Sequence, residues 1–364
     1  MSKSTDAGAT ENPALQPPAS VSREAVIWAM RLLIGREPLN EAEIALHQQH
    51  ADLASLRAAF LQTGEFKNLQ IAADPSRAYA APLFLLQPPA DPSLLWRFAP
   101  PSLTEPVSQL CTAGQLTEPA FAEYCARLNM AASPHRKVWE FCYLVSAMQA
   151  KALLRPGIRA LGFGVGEEPL PALLAKAGAI VLATDAPADL IRGQGWDTTN
   201  QHAAGLQALN HPAILPFDDL RRQVSFQPVD MNAIPTDLAD FDVCWSSCAL
   251  EHLGSLEHGL RFIENSLRTL RPGGYAIHTT EFNLSSNDAT LEAPALSLFR
   301  KCDIEALASR LVAAGHEVAP LNFHPGDREI DRHIDLPPFA LPHLKLLAAG
   351  FVTTSIGLII RKAG

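Results

Sequence analysis

Leu161-Gly162-Phe163-Gly164-Val165-Gly166 decides the fold: a short apolar run from Ile158 feeds it, and a helical pattern follows, with Pro169 near its first turn and Gly178 at its end. Glycines between a strand and a helix let the backbone approach a ligand closely and place that ligand at the positive end of the helix. The next apolar run, Ile180 to Thr184, ends in Asp185, nineteen residues after Gly166. An acid at that point accepts hydrogen bonds from both ribose hydroxyls of an adenosine. A nicotinamide-dependent oxidoreductase is the alternative, but it needs Gly-x-Gly-x-x-Gly. Counted from Gly162 the last glycine would be Glu167, and counted from Gly164 it would be Pro169. The chain reads Gly-x-Gly-x-Gly instead.

Outward from this turn, short apolar strands alternate with helical stretches. That rhythm predicts a Rossmann-like α/β fold, a doubly wound and mostly parallel sheet of seven strands. A third strand, Val224 to Val229, delivers Asp230-Met231, an acid for an adenine amino group and an apolar side chain for its ring. A fourth, Phe241 to Trp245, ends in Ser246-Ser247-Cys248, with Glu251-His252 just beyond. A helix from about Gly259 to Leu270 meets Arg271-Pro272-Gly273-Gly274, and the fifth strand, Tyr275 to Thr280, carries His278 and leads to Glu281. Each candidate stands at the carboxyl end of a strand, where open α/β sheets bind ligands. His252, Glu251, His278 and Glu281 are the candidate catalytic acid–base groups. Each of the four is equally at home as a packed or capping side chain.

A sixth strand (Glu317 to Phe323) and a last one (Phe351 to Lys362) bracket a long insert. Within it His324, Asp327, Asp331, His333 and Asp335 match no strong metal spacing, so no metal site is expected. Residues 324–349 are expected to form a substrate lid instead.

These residues resemble the class I S-adenosylmethionine-dependent methyltransferases over roughly residues 158–283. The resemblance implies S-adenosyl-L-methionine as cofactor. It implies Gly162, Gly164 and Gly166 along the methionine portion, Asp185 on the ribose, Asp230 and Met231 at the adenine, and Ser246-Ser247 along the cofactor. Leu270 to Gly274 looks like the family's turn before the fifth strand. The family usually keeps an acid two residues before the first glycine, where this chain has Ala160. Glu167 or Glu168 is the expected substitute for the cofactor's ammonium group.

Before this domain lies a helical unit over residues 21–70. Ser22 caps a first helix bearing Val26, Met30 and Leu33 and stopped by Gly35. Asn40 with Glu43 starts a second helix, and Leu53, Leu56 and Phe60 stripe a third. Trp28, Arg31, Gly35-Arg36-Glu37-Pro38 and Phe60 to Phe66 resemble a small domain found in bacterial surface-glycan enzymes and secreted exoproteins. That resemblance implies a glycan acceptor, and the unit is a candidate docking site for a protein partner. Arg36 and Glu37 are expected to form a local ion pair. Residues 1–20 are expected to be disordered. Residues 71–106 read as a Pro-rich connector, and 107–157 as a helical lead-in to a methyltransferase domain that runs to Gly364.

Composition narrows the function classes. A net charge of −9 disfavours a nucleic-acid-coating role, which draws on clustered Lys and Arg. The N-terminus lacks a signal-peptide core and no later run reaches the ~20 apolar residues of a membrane span, so a cytoplasmic protein is expected. The six cysteines include no Cys-x-x-Cys pair and read as buried small hydrophobes. The leading expectation is a methyltransferase for a small-molecule or glycan acceptor, in cell-surface polysaccharide modification. The rival of another class is a non-catalytic adenosyl-binding scaffold.

Overall fold

The computed structural model describes residues 21–66, 78–187, 190 and 202–364; the expected disordered tail 1–20 lies outside the described residues. The chain divides into two units, Met1–Ala73 and Asp74–Gly364.

In the first unit, Arg23–Ala29 (α1) runs on through a wider turn, Met30–Ile34, until Gly35 takes a left-handed φ of 80°. Helices Glu41–Gln48 (α2) and Leu53–Gln62 (α3) follow. The caps are those the sequence marks: Ser22 Oγ accepts from Ala25 N at 3.1 Å, and Asn40 Oδ1 accepts from Glu43 N at 2.9 Å. Val26, Met30, Ile34, Ile44, Leu56 and Phe60 form the core. Leu53, expected on the buried stripe, is exposed at the first position of α3. Arg36 does not pair with the Glu37 carboxylate. It bridges Glu43 and Glu65 from different parts of the unit, while Glu37 pairs with Arg31. A planar guanidinium satisfies two carboxylates at once, and its immediate neighbour in sequence faces the other way.

In the second unit, Ser108–Leu110 (β1) leads through Ala113–Leu116 (α4), Pro119–Arg127 (α5) and Arg136–Ala150 (α6) to Arg159–Phe163 (β2). Then come Leu170–Lys176 (α7), Ile180–Asp185 (β3), Phe217–Gln223 (α8), Val224–Pro228 (β4), Phe241–Ser247 (β5), Leu256–Ser266 (α9) and Leu270–Asn283 (β6). A small hairpin, Glu292–Ala293 (β7) and Leu296–Ser297 (β8), precedes Lys301–Ala313 (α10). Glu317–Val318 (β9), Leu321–Asn322 (β10), Leu346–Ala348 (β11) and Phe351–Arg361 (β12) complete the described elements.

The sheet runs β10-β1-β12-β6-β5-β2-β3-β4, with β9 and β11 also paired to β12. Strands β4, β3, β2, β5 and β6 are mutually parallel, and β12 returns antiparallel along β6 from Thr353↔Asn283 to Arg361↔Tyr275. Among the described residues the sheet has ten strands where seven were expected. One addition, β1, wedges between β12 and β10. The expected sixth strand splits into β9 and β10 around Pro320, which has no N–H for a ladder. Both faces of the parallel core are covered, so its strands read as apolar runs. Val243, Trp245 and Ile277 pack with Trp139 and Tyr143 of α6 on one face; Leu161, Cys244 and Ala276 pack with Phe262 of α9 and Ile304 of α10 on the other.

Two expected loops keep largely irregular backbone but are anchored at a few buried residues. From residue 78 the Pro-rich connector lies on the second unit, with Leu85, Leu94 and Leu103 buried and Trp96 bridging to Leu321. Its spaced leucines give it apolar area that an unattached linker would leave in water. The expected lid does not line the main cleft of this unit. Asp331 accepts from Ala113 N at 2.9 Å and from Lys345 Nζ at 3.2 Å, and Asp335 takes Ala340 N and His343 Nδ1. Asp331 ties the insert to the start of α4, and Asp335 ties the insert to itself. Among the described residues no three His, Cys, Asp or Glu side chains converge as metal ligands, and no helix is long and apolar enough to cross a membrane.

Helix α6 sits on the sheet at Gly357 of β12, where an added Cβ would overlap the Tyr143 ring. Gly357→Ala is expected to destabilise the second unit by ~1–3 kcal/mol through overpacking. Urea unfolding followed by circular dichroism checks this as a lower midpoint at unchanged slope.

Candidate functional site

A cleft of about 630 Å³ opens at the carboxyl ends of β2, β3, β4 and β5. Its floor is the glycine loop, with Gly164 and Gly166 at φ of 58° and 50°, a region open to glycine at no steric cost. A Cβ on Gly164 would stand 2.8 Å from Ala249 Cβ and 3.2 Å from Met231 Sδ, so the missing side chain keeps the cleft open. Gly162 does not line the cleft. It pairs in register with Trp245, and a Cβ there would come within 2.5 Å of the indole, so it makes room for packing.

Asp185 reaches the cleft at the end of β3. Its Oδ2 accepts from Gly166 N at 3.0 Å and Ala203 N at 2.9 Å, and Oδ1 from Ala186 N at 2.8 Å. Burial pushes its carboxyl above the ordinary range, against these backbone donors. The same carboxylate thus fixes the glycine loop and faces the ligand space. Asp230 and Met231 line the next section, where Asp230 Oδ1 accepts from Asn232 N at 2.8 Å. Glu167 is an exposed part of the wall, and its carbonyl meets His211 Nε2 at 3.0 Å.

Of the four expected catalytic residues the structure brings His252 to the cleft. Its Nδ1 donates to Ala295 O at 2.6 Å, which leaves the lone pair of the neutral ring on Nε2. Glu251 is buried beside it, its Oε1 4.0 Å from that Nε2 and its Oε2 accepting from Thr280 Oγ1 at 2.9 Å. His278 is fully buried in the layer beneath α9, between Ser246 Oγ at 2.8 Å and Ser266 Oγ at 3.3 Å. Burial lowers it to about 3, and it lies outside the cleft. Side chains alternate across the sheet, so His278 and Ser246 share the face turned to α9. Glu281 points to the α6 face but pairs with Arg136 outside the cleft; burial raises it to about 7, with Arg136 opposing. Ser247 also stands behind the wall, donating to Glu140.

Sequence reasoning missed the group at the centre of this wall. Glu140 of α6 is fully buried, and both its oxygens are saturated. Oε1 accepts from Arg136 Nη1 at 3.3 Å, Cys248 Sγ at 3.0 Å and Ser355 Oγ at 2.6 Å. Oε2 accepts from Lys137 Nζ at 3.2 Å, Ser247 Oγ at 3.2 Å and Thr279 Oγ1 at 3.4 Å. Burial works to raise this carboxyl, but Lys137 and Arg136 overcome it and hold it at about 2. Lys137 and Cys248, thus fixed, line the cleft, Cys248 at a left-handed φ of 45°. Glu168, the neighbour of Glu167, is buried with its Oε1 accepting from Trp245 Nε1 at 2.6 Å. Burial pushes it up to about 8, against the indole hydrogen bond and Lys137. The spacing that marks Glu140 is Arg136-Lys137-x-x-Glu140 at the start of α6, a pattern that exposed helices also carry.

Glu140→Gln leaves Lys137 without its anion and Arg136 with Glu281 alone, and is expected to cost ~3–5 kcal/mol near neutral pH. A depressed carboxyl stabilises above its ordinary 4.5 and loses that contribution as pH falls toward 2. The gap between wild type and variant in chemical denaturation is therefore expected to narrow from pH 7 to pH 3.

Residues 161–278 match the family described as a methyltransferase domain. No curated protein matches the chain. Among solved structures the chain is similar to the 4+2 cyclase SpnF at 18% identity, covering 61% of this chain and 82% of that one with a TM-score of 0.36. It is similar to magnesium protoporphyrin IX methyltransferase from Synechocystis PCC 6803 at 15% identity, with coverages of 60% and 80% and a TM-score of 0.35. An S-adenosylmethionine-dependent methyltransferase from Mesorhizobium loti gives 15% identity, coverages of 59% and 96%, and a TM-score of 0.36.

Proposed function

With a methyltransferase domain at residues 161–278 as the premise, we propose that the chain binds S-adenosylmethionine and methylates a small-molecule or glycan acceptor. The observation that carries this reading is the convergence of Gly164, Gly166, Asp185, Asp230 and Met231 on one cleft. Two acids at successive strand ends suit the ribose hydroxyls and the adenine amino group, and Met231 suits the ring. The side-chain-free floor at Gly164 suits a ligand that lies against the backbone. When bound, the cofactor supplies a methyl group activated by a sulfonium.

The chain's own residues supply alignment, exclusion of water and a proton acceptor. His252 fills the last role for a hydroxyl acceptor. Its Nδ1 proton is committed to Ala295 O, which makes Nε2 the nitrogen that takes the acceptor's proton, with Glu251 Oε1 4.0 Å away. The glycan class of acceptor, and with it a role in surface-polysaccharide modification, rests on the resemblance carried by the N-terminal helical unit and its Gly35-Arg36-Glu37-Pro38 turn. That unit is also the proposed contact for a protein partner.

Two measurements test the reading. S-adenosylhomocysteine in excess is expected to raise the melting midpoint by mass action, and Asp185→Ala to abolish the rise. No shift with the unmutated protein sinks the proposal. With labelled methyl donor and a hydroxyl acceptor, His252→Ala is expected to lower kcat by about 10²- to 10⁴-fold while S-adenosylhomocysteine affinity is retained. Equal turnover by the variant removes His252 from the mechanism.

A further inference from the structure

The cleft contains a carboxylate that no strand end supplies. Glu168 stands two residues before α7, lines the cleft and is only 6% exposed. It is fixed from the neighbouring strand by Trp245 Nε1 at 2.6 Å. The indole fits because its register partner on β2 is Gly162. Two residues earlier on the same face, Ala160 pairs with Val243, and both are fully buried in the apolar layer that α6 covers. An ionised side chain at 160 would have to enter that layer, at a desolvation cost it has no partner to offset. On this chain the carboxylate is set one loop further on.

Resting on the reading that an S-adenosyl cofactor binds here, we infer that Glu168, anchored by Trp245, receives the ammonium of the cofactor's amino-acid end. Asp185 and Asp230 occupy the ends of β3 and β4, so the adenosine side of the cleft already has its acids. Lys137, close enough for its charge to act on Glu168, is the one lysine or arginine lining the cleft among the described residues. One anion and one cation at the same end match a zwitterion. The raised value of Glu168 is consistent with this geometry, because an arriving cation draws a buried carboxyl into its charged form. Glu167 is less suited, being exposed.

The test compares two ligands that share the adenosine and the thioether. S-Adenosylhomocysteine carries the amino-acid end; 5′-methylthioadenosine lacks it. In calorimetric titration Glu168→Gln is expected to weaken S-adenosylhomocysteine by about 10- to 100-fold, the range for a lost charge-assisted hydrogen bond, and to leave 5′-methylthioadenosine within about twofold. Unchanged S-adenosylhomocysteine affinity overturns the inference. So does an equal loss for both ligands, which would mark a structural role, or a loss in Glu167→Gln and not in Glu168→Gln. If the unmutated protein binds neither ligand, the cofactor reading itself fails.

Discussion

A single buried carboxylate joins the parts of the second unit. Glu140 has no solvent access, and an isolated charge there would be prohibitively costly. Six donors from α6, β6, β12 and the end of β5 make it tenable, two of them cationic. The arrangement locks the start of α6 against the strand ends. It also decides which side chains form the cleft wall, because Lys137 and Cys248 are placed by their bonds to Glu140. Arg136 extends the network to Glu281.

The floor of the cleft follows a different physics. Gly164 is needed because Ala249 and Met231 leave no room for a Cβ, whereas Gly162 is needed because Trp245 leaves none. Gly164 keeps the cleft open and Gly162 makes room for the core, and from the core Trp245 reaches back to Glu168. Asp185 links both, since it ties down Gly166 N while facing the cleft. Steric exclusion and charge satisfaction thus converge on the few residues where β2, β3 and β5 end.

Several of these features were legible in the chain. The parallel strands, the glycine turn and the positions of Asp185, Asp230 and Met231 at strand ends follow from apolar runs that end in a marked residue. The caps Ser22 and Asn40 were legible for the same local reason. His278 shows the limit. Its place in a strand was readable, but its face was set by the phase of pairing between β5 and β6, which includes a register shift between Phe241 and Val243. One step of phase separates the cleft side from the α9 side. The connector from residue 78 and the insert before β12 looked like loops because proline and charge obscured the leucines and the paired carboxylates that pin them.

The Gly162-to-Gly166 turn therefore has a divided origin. The sequence by itself determined that a strand would turn there into a helix, that a sheet of parallel strands would surround it, and that acids would follow at the next two strand ends. Those are local matters of periodicity, backbone freedom and residue type. Only the tertiary structure decided which glycine opens the cleft, that His252 rather than His278 faces it, that Glu168 is a buried carboxyl along it and that Glu140 is buried behind it. Each of these depends on which residue of another element lies opposite, and burial, hydrogen bonding and acidity are properties of that contact.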